Sequence, residues 1–269
     1  MNTAIKRFRS AVFCAVLVAA GSIATEGRAA ASLCFAIAKA LPGAQYASLV
    51  PAAVELPTVS IEYAGHSTFR ITSEKGVTIA TDYAGYAGPG DPPDVVTMNH
   101  AHSSHFTDLP DPLIPNVLRG WVDGGGPAKH ELELDDVIIR NVPTDIRRYG
   151  AIEPFGNSIF IFETAGLCIG HLGHLHHMLT EDHYAAIGRL DVVMVPVDGT
   201  HTMDVRAMIQ VLDRFRTRLV LPMHYFGRDT LERFLTGLAP TYDIKFPKEK
   251  VLKLTLRDLP SRPTVMVLR

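Results

Sequence analysis

The spacing of apolar and polar positions changes along the chain. Between residues 59 and 170, apolar residues alternate with polar ones or form short runs bounded by glycine, which is typical of β-strands. After residue 181, short apolar runs alternate with segments that repeat apolar residues every three or four positions, which predicts helices between buried strands. This order predicts an α/β fold in which two packed sheets are covered by helices. The predicted strands cover residues 59–63, 67–72, 77–81, 95–98, 118–122, 131–142, 157–163, 167–170, 191–197, 219–223, 251–256 and 264–268, and the predicted helices cover 181–189, 203–216 and 230–238.

The first 31 residues have the composition of a secretory signal peptide. Lys6, Arg7 and Arg9 form a positive segment, residues 11–20 are apolar, and the alanines at 29–31 suit a cleavage site. The apolar run is short for a transmembrane helix, and an uncleaved N-terminal anchor is the alternative. We therefore expect residues 1–31 to be a signal peptide, 32–57 a lead-in segment and 58–269 one domain. This organisation predicts a periplasmic or secreted protein without stable membrane insertion after cleavage.

Charge and composition narrow the classes of partner. The 269 residues are 47% hydrophobic and 20% charged, which is typical of a globular domain. Removing residues 1–30 takes four basic residues and one acidic residue from totals of 26 and 28, which leaves 22 and 27 and a formal charge of −5. Because nonspecific nucleic-acid binding needs a basic surface, we expect a small-molecule substrate and no nucleic-acid partner. The oligomeric state is left open.

Two cysteines remain after the predicted cleavage. Cys34 and Cys168 could form a disulfide in an oxidising compartment. Cys34 lies in the lead-in segment, however, which we expect to be loosely held, and Cys168 suits a buried apolar position in a strand better than a metal site. The sequence leaves open whether the two cysteines pair.

Three histidines follow directly on a predicted buried strand. Residues 95–98 lead into His100, His102 and His105, which have H-x-H-x-x-H spacing. An extended backbone places the first two imidazoles on one side, and the third returns to that side if the serines between them begin a short helix. Imidazole is the commonest metal ligand, and zinc favours several imidazoles at one site. The spacing therefore predicts a metal site, and the alternative for any single loop histidine is a hydrogen-bonded polar residue.

Further histidines lie near the ends of later predicted strands. His171 and His174 come after strand 167–170, His224 follows strand 219–223, and His201 precedes the helix at 203–216. Because the ends of neighbouring strands meet at one edge of a sheet, we expect these side chains to converge. The remaining histidines of the folded region are interpreted as structural (His66, His130 and His183) or as solvated or supporting the ligands (His176 and His177). His66 follows Gly65 in a turn, however, and a position nearer the site is the alternative for it.

Together these motifs resemble the metallo-β-lactamase fold superfamily, and within it the UPF0173-type hydrolases and the ascorbate phosphate lactonase. The resemblance covers roughly residues 58–227 and implies an αββα sandwich of two mixed β-sheets flanked by helices. It rests on five landmarks in chain order: a G-H-S-x-F hairpin at 62–69, the strand 78–82, the histidine motif at 100–105, the segment V-M-V-P-V-D-G-T-H-T-M at 193–203, and P-M-H-Y at 222–225.

The ligand positions depart from the family pattern at three places. Ser104 stands where the family has an aspartate, His174 stands at the bridging aspartate, and Asp145 falls where a histidine is expected. The resemblance implies one or two Zn²⁺ ions. One site would use His100, His102 and Asp145, and the other His105, His174 and His224, with room for water at each. Three neutral imidazoles leave the charge of the second ion uncompensated, which favours a bound anion there.

Two functions remain open for such a site. The first is a zinc-dependent hydrolase that acts with metal-activated water on an ester, lactone or phosphodiester. His201 or a second metal would stabilise the oxyanion, and His171, His176 or a neighbouring aspartate would act as acid or base. The second is a non-catalytic metal- or ligand-binding protein of the cell envelope, because Ser104 replaces the residue that orients water in the family. The loop at 120–127, which holds the only tryptophan, is either a surface turn or a flap over the substrate.

Overall fold

Two mixed β-sheets stacked face to face form the centre of the fold. They belong to a computed structural model that describes residues 32–35, 55–100, 102–148 and 150–269. The predicted signal peptide at 1–31 lies outside the described residues, as do residues 36–54 of the predicted lead-in segment. In chain order the elements are β1 (Val59–Gly65), β2 (Thr68–Thr72), β3 (Thr78–Ala80), β4 (Val95–Met98), β5 (Asn116–Arg119), β6 (Glu131–Leu134), β7 (Val137–Arg148), β8 (Ala151–Thr164), β9 (Leu167–His171), α1 (Glu181–Ile187), β10 (Val192–Pro196), α2 (Val205–Phe215), β11 (Leu219–Met223), α3 (Arg228–Leu238), β12 (Asp243–Lys245), β13 (Val251–Leu254) and β14 (Thr264–Met266).

The strand order brings several carboxyl ends to one edge of the sandwich. The first sheet has the order β13-β1-β2-β3-β4-β5, and the second has the order β12-β14-β11-β10-β9-β8-β7-β6. Strands β9, β10 and β11 are parallel neighbours, with Met194 opposite both His171 and Leu221. The loops that follow these strands therefore leave the sheet at the same side, as in other open parallel sheets.

The two sheets bury a common apolar core. Ile61 and Ile79 of the first sheet belong to the same buried cluster as Phe160, Phe162 and Met194 of the second, and each of these five side chains is fully buried. Burial of each such side chain contributes about 1.5–3 kcal/mol to folding before entropy is counted. The predicted sandwich of two mixed sheets is confirmed.

All three described α-helices pack on the outer face of the eight-stranded sheet. The helix α2 buries Met208, Val211 and Leu212 there, and α3 buries Phe234 and Leu238. The outer face of the six-stranded sheet is covered in the described part of the chain by loop residues instead, which include Tyr83, Ile114 and Trp121. None of the described helices has the length and apolar character needed to cross a bilayer.

Local differences from the sequence prediction have clear backbone causes. The predicted strand 131–142 is a hairpin of β6 and β7, which turns at Asp135 with a left-handed φ of 51°. The predicted short helix after His102 is a single turn instead, closed by the His105 N–H donating to the His102 carbonyl at 2.9 Å. The three-residue strand β12 was not predicted, because its pattern is too short to have a period.

Residues 32–35 are fixed to the body of the domain by a disulfide. Cys34 and Cys168 are bonded, and both are buried. The Cys34 carbonyl accepts a hydrogen bond of 3.1 Å from the Arg189 N–H, and the Ser32 hydroxyl donates to Glu163 Oε1 at 2.6 Å. The start of the lead-in segment is therefore held, and the pairing that the sequence left open is formed.

Candidate metal centre

Four imidazoles meet at the edge where the strands end. His102 and His105 lie in the turn after β4, His174 lies in the loop after β9, and His224 directly follows β11. One ring nitrogen from each lies within 4.8 Å of the other three, and all but the half-buried His102 are buried. The structure thus brings together four of the six metal ligands predicted from the sequence.

Sharp turns aim these side chains back at the sheet edge. His224, His66 and Asp82 have left-handed φ angles of 53°, 51° and 46°, a conformation that residues other than glycine adopt at a cost of about 1–3 kcal/mol. The His224 N–H donates to the His66 carbonyl at 2.9 Å, which ties the turn after β11 to the turn after β1. Backbone strain is therefore concentrated at this site.

Two buried carboxylates orient two of the rings. His105 Nδ1 lies 2.8 Å from Asp82 Oδ2, and His224 Nδ1 lies 3.0 Å from Asp198 Oδ1. The second oxygen of Asp82 accepts a hydrogen bond from Asn99 Nδ2 at 2.6 Å. Carboxylate–histidine pairs of this kind fix the ring tautomer, so that the other nitrogen faces the metal. Neither aspartate was predicted as a site residue, although Asp82 directly follows the predicted strand 77–81 and Asp198 directly follows the predicted strand 191–197.

The other two rings are held by polar side chains. His102 Nδ1 lies 2.8 Å from Ser104 Oγ, and Ser104 Oγ lies 3.1 Å from His66 Nε2. His174 Nδ1 lies 2.5 Å from His176 Nε2, and thus His176 supports a ligand. Each of the four imidazoles therefore has its Nδ1 engaged outside the cluster and its Nε2 turned inward.

The inward-facing nitrogens fit a bound cation. The Nε2 atoms of His105 and His224 are 3.2 Å apart, and those of His102 and His174 are 3.0 Å apart. Because His105 and His224 each direct Nδ1 to a carboxylate, the neutral rings would present two Nε2 lone pairs to each other, an arrangement that a cation between them stabilises. A tetrahedral zinc ion with Zn–N bonds of about 2.0–2.1 Å needs nitrogens about 3.3–3.4 Å apart. The donor set therefore suits one ion shared by four imidazoles.

The electrostatics of the site favour the neutral form of His102 and His174 and the charged form of Asp82 and Asp198. Burial and the neighbouring His105 and His224 lower the pKa of His102 to about 4, and burial with the same neighbours brings the pKa of His174 far below its usual range. Burial acts to raise the pKa of Asp198, but hydrogen bonds from His224 and Thr202 bring it well below the ordinary value. Asp82 and Asp198 thus supply negative charge beside the imidazoles. A bound anion is then not needed to offset the charge of an ion at this site.

Two predicted ligands lie outside the cluster. The ring of His100 stacks on Trp121 at 4.9 Å, and its Nδ1 lies 2.6 Å from Glu153 Oε1. Asp145 sits at the bulge of β7, where its Oδ1 accepts the Phe155 N–H at 3.0 Å. The predicted site of His100, His102 and Asp145 is therefore not assembled, and His102 joins the other three histidines. Trp121 packs in the core beside His100, which favours the surface-turn alternative for its loop.

The two predicted catalytic histidines have different positions. His171 is fully buried, with Nε2 lying 2.8 Å from the Ser67 carbonyl and Nδ1 accepting the Gly173 N–H at 3.1 Å. Both of its nitrogens are thus engaged by backbone groups, which is typical of a structural histidine. His201 is exposed, its backbone N–H donates to Asp198 Oδ2 at 2.5 Å, and its ring lies 5.7 Å from Phe226.

The rim of the site includes two residues that sequence reasoning did not assign to it. The ring of His66 lies 4.4 Å from His224 and 5.2 Å from His105. The exposed ring of Phe226 lies 5.1 Å from His224. The sequence signal for His66 was the pair Gly65-His66, which indicates a tight turn near the end of a strand. The structure has this turn, with a left-handed φ of 51° at His66.

Known proteins resemble this chain in sequence. Residues 60–224 match the family model of the beta-lactamase superfamily domain. A UPF0173 metal-dependent hydrolase of Pyrococcus abyssi is 27% identical over 191 residues, which cover 62% of this chain and 84% of that protein. One from Thermoplasma acidophilum is 24% identical over 229 residues, which cover 74% of this chain and all of that protein.

A solved structure extends this likeness to three dimensions. The crystal structure of a proposed zinc-dependent hydrolase of the metallo-β-lactamase superfamily from Thermotoga maritima superposes with a TM-score of 0.57 at 28% identity. The match covers 78% of this chain and 98% of that one. The chain therefore belongs to the metallo-β-lactamase superfamily, and it is similar in sequence to the UPF0173 metal-dependent hydrolases.

Proposed function

We propose that the protein is a hydrolase that uses a single divalent ion, with Zn²⁺ preferred, held by His102, His105, His174 and His224. The observation that carries this proposal is the distance of 3.2 Å between the Nε2 atoms of His105 and His224, while Nδ1 of each ring is anchored to a carboxylate. Imidazole ligands favour zinc, copper, iron or nickel over magnesium or manganese. The relatives, which are named metal-dependent hydrolases, support the reaction class.

The contacts of His100 and Asp145, the two predicted ligands outside the cluster, favour one bound ion over two. His100 is bound to Glu153 and Trp121, and Asp145 is bound to the backbone of Phe155. Freeing His100 would break a hydrogen bond of 2.6 Å and a ring stack, and freeing Asp145 would leave the Phe155 N–H without its partner. A second ion would therefore have to displace existing contacts.

The residues of the chain prepare the site for hydrolysis of an ester, lactone or phosphodiester. When bound, a divalent ion would supply Lewis-acid chemistry and acidify water. Asp82 and Asp198 hold their imidazoles in place and offset positive charge. His201 stands exposed at the rim, and its ring makes no hydrogen bond to any described residue, so it is free to donate to a developing oxyanion. Ser104 anchors His102 through its hydroxyl where the family has a carboxylate.

An oxidising compartment is the proposed setting. The buried Cys34–Cys168 disulfide supports this proposal, because such bonds persist in the periplasm or outside the cell and are rare in the reducing cytosol. The signal-like pattern at 1–31 is consistent with the same route.

A second candidate is a non-catalytic metal-binding protein. Four protein ligands complete the tetrahedral shell of zinc, which is typical of structural sites, whereas catalytic zinc keeps one position for water. The half-buried His102 is the ligand nearest to solvent, and it would have to yield or to tolerate a fifth ligand for hydrolysis.

A single panel of assays separates the two candidates. Metal-loaded protein is tested on generic ester, lactone and phosphodiester substrates beside His105→Ala, with His183→Ala, an imidazole outside the cluster on α1, as the matched control. The hydrolase proposal expects turnover that falls by at least about a hundredfold in His105→Ala and not in the control. Stoichiometric metal without turnover would favour the non-catalytic candidate. Equal turnover in all three proteins would reject the assignment of the site.

A further inference from the structure

Phe226 lies between the four-histidine cluster and a cavity in the surface. Its ring centroid lies 5.1 Å from that of His224, 5.6 Å from His66 and 5.7 Å from His201. The side chain is nevertheless 66% exposed, which is unusual for a phenylalanine in contact with so many rings. One side of this ring therefore faces the metal centre, and much of the rest is open.

A cavity of about 380 Å³ adjoins Phe226. The other lining residues come from the segment after β11, the start of α3 and the segment after β14, and they are Tyr225, Gly227, Arg228, Leu231 and Arg269. The volume is in the range of pockets that hold small ligands. Because Phe226 lines the cavity and also contacts three rings of the metal site, the two spaces share one wall.

The lining combines apolar surface with positive charge. Phe226 and Leu231 offer apolar atoms, and Arg228 and Arg269 offer guanidinium groups. Arg228 is exposed and forms no hydrogen bond or ion pair with the described residues. The guanidinium of Arg269 lies 5.0 Å from the ring of Phe246. The nearest carboxylate in sequence, Asp229, lines a different groove.

The start of α3 adds to this positive potential. The N-cap residue before it, Gly227, provides no side-chain cap, and in the described part of the chain no other side chain caps it. The free N–H groups of the first turn carry partial positive charge on the cavity side of the helix. Guanidinium groups, apolar atoms and a helix N-terminus together suit an oxyanion on an apolar body.

We infer that this cavity binds a carboxylate or phosphate group carried on an apolar segment, as the part of the substrate remote from the bond that is cleaved. The inference rests on the proposed function, since it assigns the occupant to the substrate of the neighbouring centre. It deepens that proposal by defining the substrate class as anionic, partly apolar esters or phosphoesters.

A larger groove of about 790 Å³ between α2 and α3 does not compete for this role. Its lining carries both signs of charge, with Asp229 and Glu232 beside Arg206 and Arg233. It shares no lining residue with the cavity at Phe226, and none of its residues is a metal-site residue.

Calorimetric titration of the metal-loaded protein tests the inference without requiring turnover. Phenylphosphonate, which has an anion on an apolar ring, is compared with methylphosphonate, which lacks the ring. Arg228→Gln removes the cavity charge, and Arg233→Gln removes the same charge from an exposed position further along α3. We expect phenylphosphonate to bind more tightly than methylphosphonate, with a Kd raised about tenfold by Arg228→Gln and unchanged by Arg233→Gln.

Two results would overturn the inference. One is a Kd for phenylphosphonate that is the same in Arg228→Gln and Arg233→Gln. The other is equal affinity for the two phosphonates, which would place the anion on the metal alone.

A second measurement separates this inference from the proposed hydrolysis. The ratio of kcat/KM for a 4-nitrophenyl ester with a terminal carboxylate to that for a neutral ester of equal length should fall about tenfold in Arg228→Gln and stay constant in Arg233→Gln. Arg228-dependent phosphonate binding without turnover of either ester would reject hydrolysis and retain the anion site. Turnover of both esters with an unchanged ratio would reject the anion site and retain hydrolysis.

Discussion

His105 and His224 face each other through Nε2 atoms 3.2 Å apart, while each ring is anchored through Nδ1 to a separate buried carboxylate. The two residues are 119 positions apart in sequence, and they reach this arrangement only because β4 and β11 end at the same side of the sandwich. Neutral rings that are anchored in this way repel each other unless a cation lies between them, so the relationship itself indicates a metal site.

Removing one anchoring carboxylate should weaken metal binding without removing a ligand. Asp198→Asn retains the size of the side chain but loses the charge behind His224, and we expect the affinity for Zn²⁺ to fall by about ten- to a hundredfold. Competition with a chromophoric chelator measures the affinity. Asp204→Asn is the matched control, because that aspartate is an exposed helix cap and asparagine caps equally well. An unchanged affinity in Asp198→Asn would contradict the role of the carboxylate.

The two predicted ligands that lie outside the cluster should be dispensable for the metal. We expect His100→Ala and Asp145→Asn each to retain one ion per chain, because His100 is engaged by Glu153 and Asp145 by the Phe155 N–H. Elemental analysis of the purified variants gives the stoichiometry. Loss of an ion in either variant, relative to the unaltered protein, would restore the two-site arrangement that the sequence suggested.

Removal of the disulfide should lower stability more than any surface change. The bond closes a loop between residues 134 positions apart, and loss of such a constraint costs about 2–5 kcal/mol. The double substitution Cys34→Ser with Cys168→Ser should lower the free energy of unfolding in urea by about this amount. Thiol titration of the unaltered, denatured protein provides the control, since it should find neither of these cysteines reactive. Free thiols at both positions, together with an unchanged free energy of unfolding in the double variant, would contradict a disulfide that holds residues 32–35.

The metal-free protein should lose stability as the pH falls below about 6.5. Burial lowers the folded-state pKa of His66, His102 and His176 to about 4, and thus the unfolded chain takes up protons at these positions first. The free energy of unfolding is therefore retained above the unfolded-state pKa of these histidines and declines between about pH 6.5 and pH 4. Urea midpoints across this window measure the effect, and His66→Asn should make the decline shallower. A midpoint that stays constant or rises on acidification would contradict the neutral cluster.

The sequence predicted the parts of this fold that depend on local pattern. Strands β4 and β11 have the predicted bounds, because both are fully buried runs with polar residues at each end. The histidines at the ends of these strands could be assigned to one site, since parallel strand ends converge whatever the details of the loops. The hairpin at Asp135 was missed because its two-residue turn consists of two aspartates and lacks the glycine or asparagine that usually marks such a turn.

The partners of each site residue could not be predicted in the same way. His100 is drawn away from the cluster by Trp121 and Glu153, which are far from it in sequence, and no pattern near residue 100 encodes that contact. Asp82 and Asp198 lie within two of the family landmarks without a role of their own in the sequence pattern, and only the three-dimensional arrangement shows that they anchor imidazoles. Ligand types can thus be found from sequence, whereas the choice among ligands depends on tertiary packing.

X-ray absorption at the metal edge, combined with metal analysis of protein purified without chelator, tests the central claim most directly. The account predicts one ion per chain with four imidazole nitrogens at about 2.0–2.1 Å, and loss of the ion in His105→Ala and in His224→Ala. Two ions per chain, or an ion whose nearest neighbours include carboxylate oxygens in place of one or more of these imidazoles, would contradict it.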